Sequence, residues 1–264
     1  MGEDLEGPSN FCRCSFGLRH ATVLAGLDAG GNLHTAAQTY RQMGVDYLPF
    51  PLAAQPQERY AWDNIWRVTK QEVDAVRQDF ADNGQLDNQL PDAIRHWPAK
   101  FNTNARGANG TPISVIFDAA PFYDHNADGI YNPYDGDYPV VYGDEMFWWI
   151  FTDSIPVNHT ESEGQALGVE VSAIAYSFNG SPGTVLERTI ITRYEITNKS
   201  NNAYSDMFMG IFADIEVGCF NDDIFNAFDV NAVFVHGYFV AVHIFQVNLL
   251  CIFINLYFMS ARCF

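Results

Sequence analysis

The second half of the chain is dominated by runs in which apolar and polar residues alternate, the pattern of strands with one buried face. In residues 167–178, Leu167, Val169, Val171, Ala173 and Ala175 are predicted to share one apolar face. Residues 186–196 alternate in the same way, with Leu186, Ile190, Tyr194 and Ile196 predicted to share a face. The turn sequences NGSPG and NKSNN separate these runs from each other and from a third run at 206–214. The pattern predicts an antiparallel meander.

Shorter apolar runs come earlier in the chain and predict further strands. They lie at residues 34–42, 113–117, 138–142 and 146–151. In the last of them Trp148 and Trp149 are adjacent, so their side chains must point to opposite faces of a strand. Core packing is the prediction for both indoles, with a sugar-stacking platform as the alternative. The predicted fold class is mainly β: an antiparallel β-sandwich with one or two short helices and an inserted loop.

A helix is predicted to begin after Thr69, where the apolar spacing changes from two to three or four. Glu72 follows three residues later and completes a capping box, in which each of the two side chains accepts a hydrogen bond from the other residue's backbone N–H. Apolar residues recur on one face as far as Phe80, and Gly84 provides the stop.

A second, shorter helix is predicted to begin at Pro91, with Ile94 and Trp97 facing inward. The two helices together form a helical insertion over about residues 69–97. This insertion interrupts a chain that is otherwise predicted to be β.

Residues 224–264 form a hydrophobic segment with an unusual composition. Asp229 and Arg262 are its only charged residues, and it is long enough to span a membrane. Polar residues are nevertheless spread through it at appreciable cost, so a membrane span is not the prediction. A hydrophobic β pair and a stretch outside the native reading frame are the two alternatives.

Net charge and cysteine spacing exclude several classes of function. The 264 residues carry a formal net charge of −18, which excludes a nucleic-acid partner because phosphate binding needs clustered Lys and Arg. An acidic chain suits the binding of divalent cations or extracellular surroundings. The five cysteines include no C-x-x-C pair, so a zinc ribbon and a thioredoxin motif are excluded.

The strongest chemical signal is the sequence DHNADGIYNPYD at residues 124–135. Its oxygen-bearing residues fall at the spacing of a calcium-binding loop, and Gly129 stands where such a loop turns sharply. The predicted ligands of Ca²⁺ are the side chains of Asp124, Asn126, Asp128, Asn132 and Asp135, together with the backbone carbonyl of Ile130.

The loop departs from an EF-hand at its closing residue, since Asp135 stands where a bidentate Glu is usual. Prolines on both sides break helices, so an isolated calcium loop between strands is expected rather than a helix pair. A merely polar turn is the alternative, because Asp and Asn side chains mimic backbone turns.

Two further acidic clusters are weaker candidates. A charge cluster is usually a solvated loop, which is the prediction for the second cluster, with a second metal site at Asp214, Glu216, Asp222 and Asp223 as the alternative. His159, Glu161 and Glu163 lack the spacing of a zinc protease and are predicted to face solvent. No nucleophile elbow, P-loop or dinucleotide fingerprint occurs, so no catalytic residues are assigned.

Several phrases resemble those of large secreted bacterial proteins exported through the type IX (Por) secretion system. They include GLDAGGNLHTAAQTYRQ at 26–42, WDNIWRVTK at 62–70 and DGIYNPYDGDYP at 128–139. The others are GDEMFWWIFTD, LGVEVSAIAYSF and RYEITNKS, and together the phrases cover roughly residues 24–223.

The resemblance implies an extracellular or cell-surface protein and carries the calcium loop over onto Asp124, Asn126, Asp128, Asn132 and Asp135, but it implies no catalytic residues. Proteins of this group begin with a signal peptide and end with a sorting domain, and neither is visible here. Residues 1–23 and 224–264 do not resemble the group, so a fragment or an altered form of a longer gene product is expected.

The leading hypothesis is therefore a noncatalytic calcium-binding β-sandwich module of a secreted or cell-surface bacterial protein, with an adhesion or scaffold role. Its expected partners are calcium and either surface glycans or other surface proteins. The alternative is an extracellular carbohydrate-binding domain or a glycoside-type hydrolase, because two carboxylates at a suitable separation are all that such an enzyme needs.

Overall fold

The computed structural model describes residues 16–38, 44–155, 158–181, 184, 186, 189–217, 225–228, 232–235, 238–248 and 251–259. The strands in these residues are β1 (Phe16–Leu27), β2 (Leu33–Ala37), β3 (Trp66–Thr69), β4 (Phe122–Tyr123), β5 (Tyr138–Pro139), β6 (Glu145–Thr152), β7 (Val169–Ser177), β8 (Thr189–Asn198), β9 (Ser205–Val217), β10 (Phe225–Phe228), β11 (Ala232–Val235), β12 (Tyr238–Asn248) and β13 (Cys251–Met259). The helices are α1 (Lys70–Asn83) and α2 (Asp92–Arg95), with short 3-10 turns at Pro56–Trp62, Ala108–Gly110 and Pro133–Asp135. The prediction of a mainly β protein is confirmed.

The strands form antiparallel sheets that match the predicted sandwich. The larger sheet has eight strands in the order β10-β11-β12-β13-β8-β7-β6-β3, and a second sheet has the order β2-β1-β9. β6, β7 and β8 are sequential antiparallel neighbours. β4 and β5 form a separate two-stranded sheet.

The predicted third strand of the meander, β9, lies in the other sheet. It pairs with β1, where Val23 stands opposite Gly210. Met207 and Met209 of β9 pack against the core between the two sheets. In the facing sheet, these two side chains of β9 are half-buried against that core.

Two further strand predictions are corrected. Residues 113–117 form no regular strand, although Ile113 and Val115 are buried, because their backbone bonds to the irregular segment at 101–105. In β8 the predicted apolar face holds only for Tyr194 and Ile196, which are buried. Ile190 is 38% exposed and Leu186, just before the strand, is 50% exposed.

The part of the larger sheet formed by β6 and β7 is covered on both faces, by different parts of the chain. One face packs against the helices and the irregular segments between residues 44 and 142, and Trp148 lies fully buried in this core. The other face packs against the smaller sheet, and Trp149 contacts that second core. The prediction that the adjacent tryptophans pack in the core on opposite faces is therefore confirmed.

Both predicted helices are present, and their ends follow the expected local rules. The Thr69 hydroxyl accepts the Glu72 N–H at 3.2 Å, and the Glu72 carboxylate accepts the Thr69 N–H at 2.9 Å. Gly84 ends α1 in the left-handed conformation, with φ of 77°. Ile94 and Trp97 are fully buried, as predicted.

The hydrophobic segment contributes strands β10 to β13, and β12 pairs with β13 in antiparallel register, as the β-pair alternative anticipated. In the part of the chain that the structure describes, no helix has the length and apolar character needed to cross a membrane. Asp222 and Asp223 of the second acidic cluster lie outside the described residues, and so do the side chains of Asp214 and Glu216.

Candidate functional site

The predicted calcium loop connects β4 to β5, two short strands that pair directly with each other. Phe122 stands opposite Pro139, and Tyr123 stands opposite Tyr138. The loop is therefore flanked by two paired strands and not by two helices. This placement between strands agrees with the sequence prediction.

The first half of the loop is held by its own predicted ligand side chains. Asp124 accepts the Gly129 N–H through Oδ2 at 2.7 Å, and Asn126 accepts the Asp128 N–H through Oδ1 at 3.1 Å. Asp128 in turn accepts the Ile130 N–H through Oδ1 at 2.8 Å. Such side-chain bonds to the backbone a few residues ahead wind the chain tightly.

Two residues of the first half adopt the left-handed conformation. Ala127 has φ of 60° and Gly129 has φ of 77°. A Cβ on Gly129 would meet no atom within 4 Å, so the backbone conformation alone explains the preference for glycine there.

The second half of the loop is organised by Asn132. Its side-chain amide donates to Oδ2 of Asp135 at 2.7 Å, and its Oδ1 accepts the Tyr134 N–H at 3.2 Å. Asn132 thereby caps the 3-10 turn at Pro133–Asp135, which ends at Gly136 with φ of 93°. Asn132 and Asp135, both predicted ligands, are thus in direct contact.

Asp137, which was not among the predicted site residues, is the central residue of the site. Its side chain is fully buried, and its two oxygens accept the N–H groups of His125 and Asn132, each at 2.8 Å. Burial raises the pKa of the Asp137 carboxyl, and the charges of Asp124 and Asp128 raise it further. The one sign of this role in the sequence is that another Asp follows Asp135, the predicted closing residue, by two positions.

Tyr131 anchors the loop to the helical core. Its hydroxyl donates to the Ile94 carbonyl at 2.7 Å, its N–H donates to the Lys100 carbonyl at 2.8 Å, and its ring meets Phe122 edge-on at 5.3 Å. Burial raises the pKa of Tyr131 well above its ordinary value, and the charge of Asp137 adds to this. The loop is therefore fixed to the core at its middle.

The donor chemistry of the loop fits a hard cation, because every predicted ligand offers oxygen. Its carboxylates are not gathered into a ligand cage, however: within the described residues, no group of three or more His, Cys, Asp or Glu side chains could hold a metal. Asp124 and Asp128 are instead bonded to backbone N–H groups. An ionised carboxylate has about four lone-pair sites, so these side chains could turn free lone pairs toward an ion while they keep the N–H donors.

The prediction that His159 faces solvent is wrong. Its ring is buried, and the two ring nitrogens lie 2.7 Å from the Thr35 carbonyl oxygen and 3.0 Å from the Asp153 carbonyl oxygen. The fully buried Asp46 carboxylate lies 3.7 Å from Nδ1 of His159. These residues form a polar network inside the fold.

Comparison of the chain with family models, with curated proteins and with solved structures finds no match.

Proposed function

We propose that this protein is a noncatalytic, calcium-stabilised β-sandwich module of a secreted or cell-surface bacterial protein, with an adhesion or scaffold role. The observation that carries the proposal is the position of Asp137, a buried carboxylate whose pKa is raised by its burial and by the charges of Asp124 and Asp128. Like charges concentrated in this way destabilise a loop unless a cation offsets them.

The proposed ligands are Asp124, Asn126, Asp128, the Ile130 carbonyl, Asn132 and Asp135. Asp137 would act behind them by holding the N–H groups of His125, near the start of the loop, and of Asn132, in its second half. The loop is already wound by short-range bonds and fixed by Tyr131, so an ion would meet a largely ordered backbone. Bound calcium would then stabilise the native state in proportion to its occupancy.

The extracellular placement rests on the acidity of the chain and on its resemblance to type IX secreted proteins. A net charge of −18 is compatible with surroundings rich in divalent cations. In such a setting the ion would rigidify a surface loop, and the sandwich would serve as a spacer or contact module. Other surface proteins and surface glycans are the proposed partners.

The experiment is calcium titration by isothermal calorimetry, paired with thermal melting in EDTA, in calcium and in magnesium. We expect saturable calcium binding and a melting temperature that rises with calcium more than with magnesium, because magnesium demands a more rigid geometry. No heat of binding, together with identical melting curves in EDTA and in millimolar calcium, would refute the proposal.

A further inference from the structure

A polar cleft opens on the face of the larger sheet, on the side of the helical core. It has a volume of about 400 Å³, and β6, β7 and β8 form much of its wall. Small-molecule sites commonly have volumes of about 300–1,000 Å³. The charged or hydroxyl-bearing residues that line it are Asp118, Tyr142, Glu170, Ser172, Arg193, Glu195, Thr197 and Lys199.

Strand register places acidic and hydroxyl side chains next to each other in this cleft. Ser172 stands opposite Glu195, and Glu170 stands opposite Thr197. Side chains on one face of paired strands are within reach of their direct and diagonal neighbours, so Glu170 and Glu195 lie on one diagonal. The cleft therefore presents two carboxylates with hydroxyl groups beside them.

Several of these groups are held in place by neighbours. Glu170 accepts the Leu52 N–H at 2.8 Å and pairs with the Lys199 ammonium at 3.3 Å. Arg193 donates to the Tyr142 hydroxyl at 3.3 Å. The site is thus built from positioned side chains rather than from freely moving surface charges.

Ser172 and Glu195 keep hydrogen-bonding groups that no neighbouring side chain uses, within the described residues. The Ser172 hydroxyl accepts the Trp148 indole N–H at 2.9 Å, which leaves its own proton available as a donor. Glu195 is half-buried, and within the described part of the chain its carboxylate has no hydrogen-bond or ion-pair partner. A half-buried acceptor of this kind favours a ligand that donates hydrogen bonds.

We propose that this cleft binds a neutral, polyhydroxylated ligand, namely a sugar unit of a glycan. Each hydroxyl of a sugar both donates and accepts, which matches carboxylates and hydroxyl-bearing residues placed side by side. Two of the three carboxylates that line the cleft are already in ion pairs, Asp118 with Lys100 at 3.0 Å and Glu170 with Lys199 at 3.3 Å. The third, Glu195, has no ion-pair partner within the described residues and would repel an anionic sugar. The cleft and the calcium loop share no lining residue, so binding in the cleft does not depend on calcium in the loop.

The experiment is a glycan array with the whole chain, followed by calorimetry with the neutral oligosaccharide that the array selects. The test variant is Glu195→Gln, which removes the charge and keeps the size of the side chain. The matched control is Glu145→Gln, which makes the same change on the same sheet outside the cleft, where Glu145 pairs with Arg67. Circular dichroism spectra establish that both variants fold.

We expect binding to neutral glycans and a loss of roughly tenfold in affinity for Glu195→Gln, since a hydrogen bond to a charged group contributes about that much. The control should bind as the unchanged protein does, and binding should persist in EDTA under conditions where the chain stays folded. An array that is silent, or positive only for sulfated or uronic-acid glycans, would overturn the proposal. Equal affinity of the test variant and the unchanged protein would do the same.

Discussion

The hydroxyl of Tyr131 donates a hydrogen bond to the Ile94 carbonyl over 2.7 Å, and this bond ties the middle of the candidate calcium loop to α2. Tyr131 is 2% exposed, so the bond is shielded from water. The Ile94 carbonyl also accepts the Trp97 N–H at 3.3 Å and keeps that partner if the hydroxyl is removed. One buried side chain thus fastens a largely exposed loop to the core.

Replacing Tyr131 with Phe removes this one hydrogen bond and keeps the ring. We expect the free energy of unfolding in urea to fall by about 1 kcal/mol, the usual net contribution of such a bond. Tyr134→Phe is the matched control in the same loop, because the Tyr134 side chain is 55% exposed. Equal stability of the two variants would show that the buried hydroxyl contributes nothing.

Alanine substitutions at Gly129 and Gly136 distinguish the cost of a left-handed backbone from the cost of a steric clash. Gly129→Ala meets open space, so it should cost only about 1 kcal/mol for the left-handed conformation. Gly136→Ala should cost more, because its Cβ would lie 2.6 Å from the Phe80 ring in addition to adopting φ of 93°. Urea unfolding in EDTA measures both, and the reverse order of stability would contradict the described packing of α1 on the loop.

Ser162→Ala tests the buried carboxylate of Asp46. Burial raises the pKa of the Asp46 carboxyl. Hydrogen bonds from the Ser162 hydroxyl and from the N–H groups of Glu161, Ala37 and Ser162 lower it by more. The net result is a pKa below the ordinary value of 3.8. A lowered pKa in the folded state stabilises the protein above pH 3.8, and this contribution is lost as the pH falls through the folded value.

The variant should therefore be less stable than the unchanged protein at neutral pH, by about 1.5–3 kcal/mol for a bond to a charged group. The difference should shrink as the pH falls below 3.8. Urea unfolding at a series of pH values gives the curve, with Ser205→Ala at an exposed position as control. A stability difference that does not change with pH would exclude this role of the Ser162 hydroxyl.

Asp128→Asn tests the proposed ligand set directly. The substitution keeps an oxygen that can accept the Ile130 N–H but removes one charge. We expect calcium affinity to weaken at least about tenfold, because the charge of the ligands sets affinity in such loops. Asp82→Asn, at an exposed position of α1, should bind calcium as the unchanged protein does. Calorimetry that finds both variants equal would remove Asp128 from the site.

Several features were predictable because they depend on residues close together in the sequence. The capping box of Thr69 and Glu72, the left-handed stop at Gly84 and the turn-forming spacing of residues 124–135 are all local. Alternation likewise predicted β7 and the opposite orientations of Trp148 and Trp149. Short-range hydrogen bonds and side-chain periodicity determine such features wherever the segment lies in the fold.

Other features were decided by contacts between distant segments. The pairing of β9 with β1, the burial of His159 and the place of Asp137 beneath the loop all depend on what packs nearby. The sequence alone determined that the protein is mainly β with two helices, and that residues 124–135 form an oxygen-rich turn, because both follow from local propensity. Only the tertiary structure decided which polar groups lose contact with water, because the desolvation of a group depends on every segment that surrounds it.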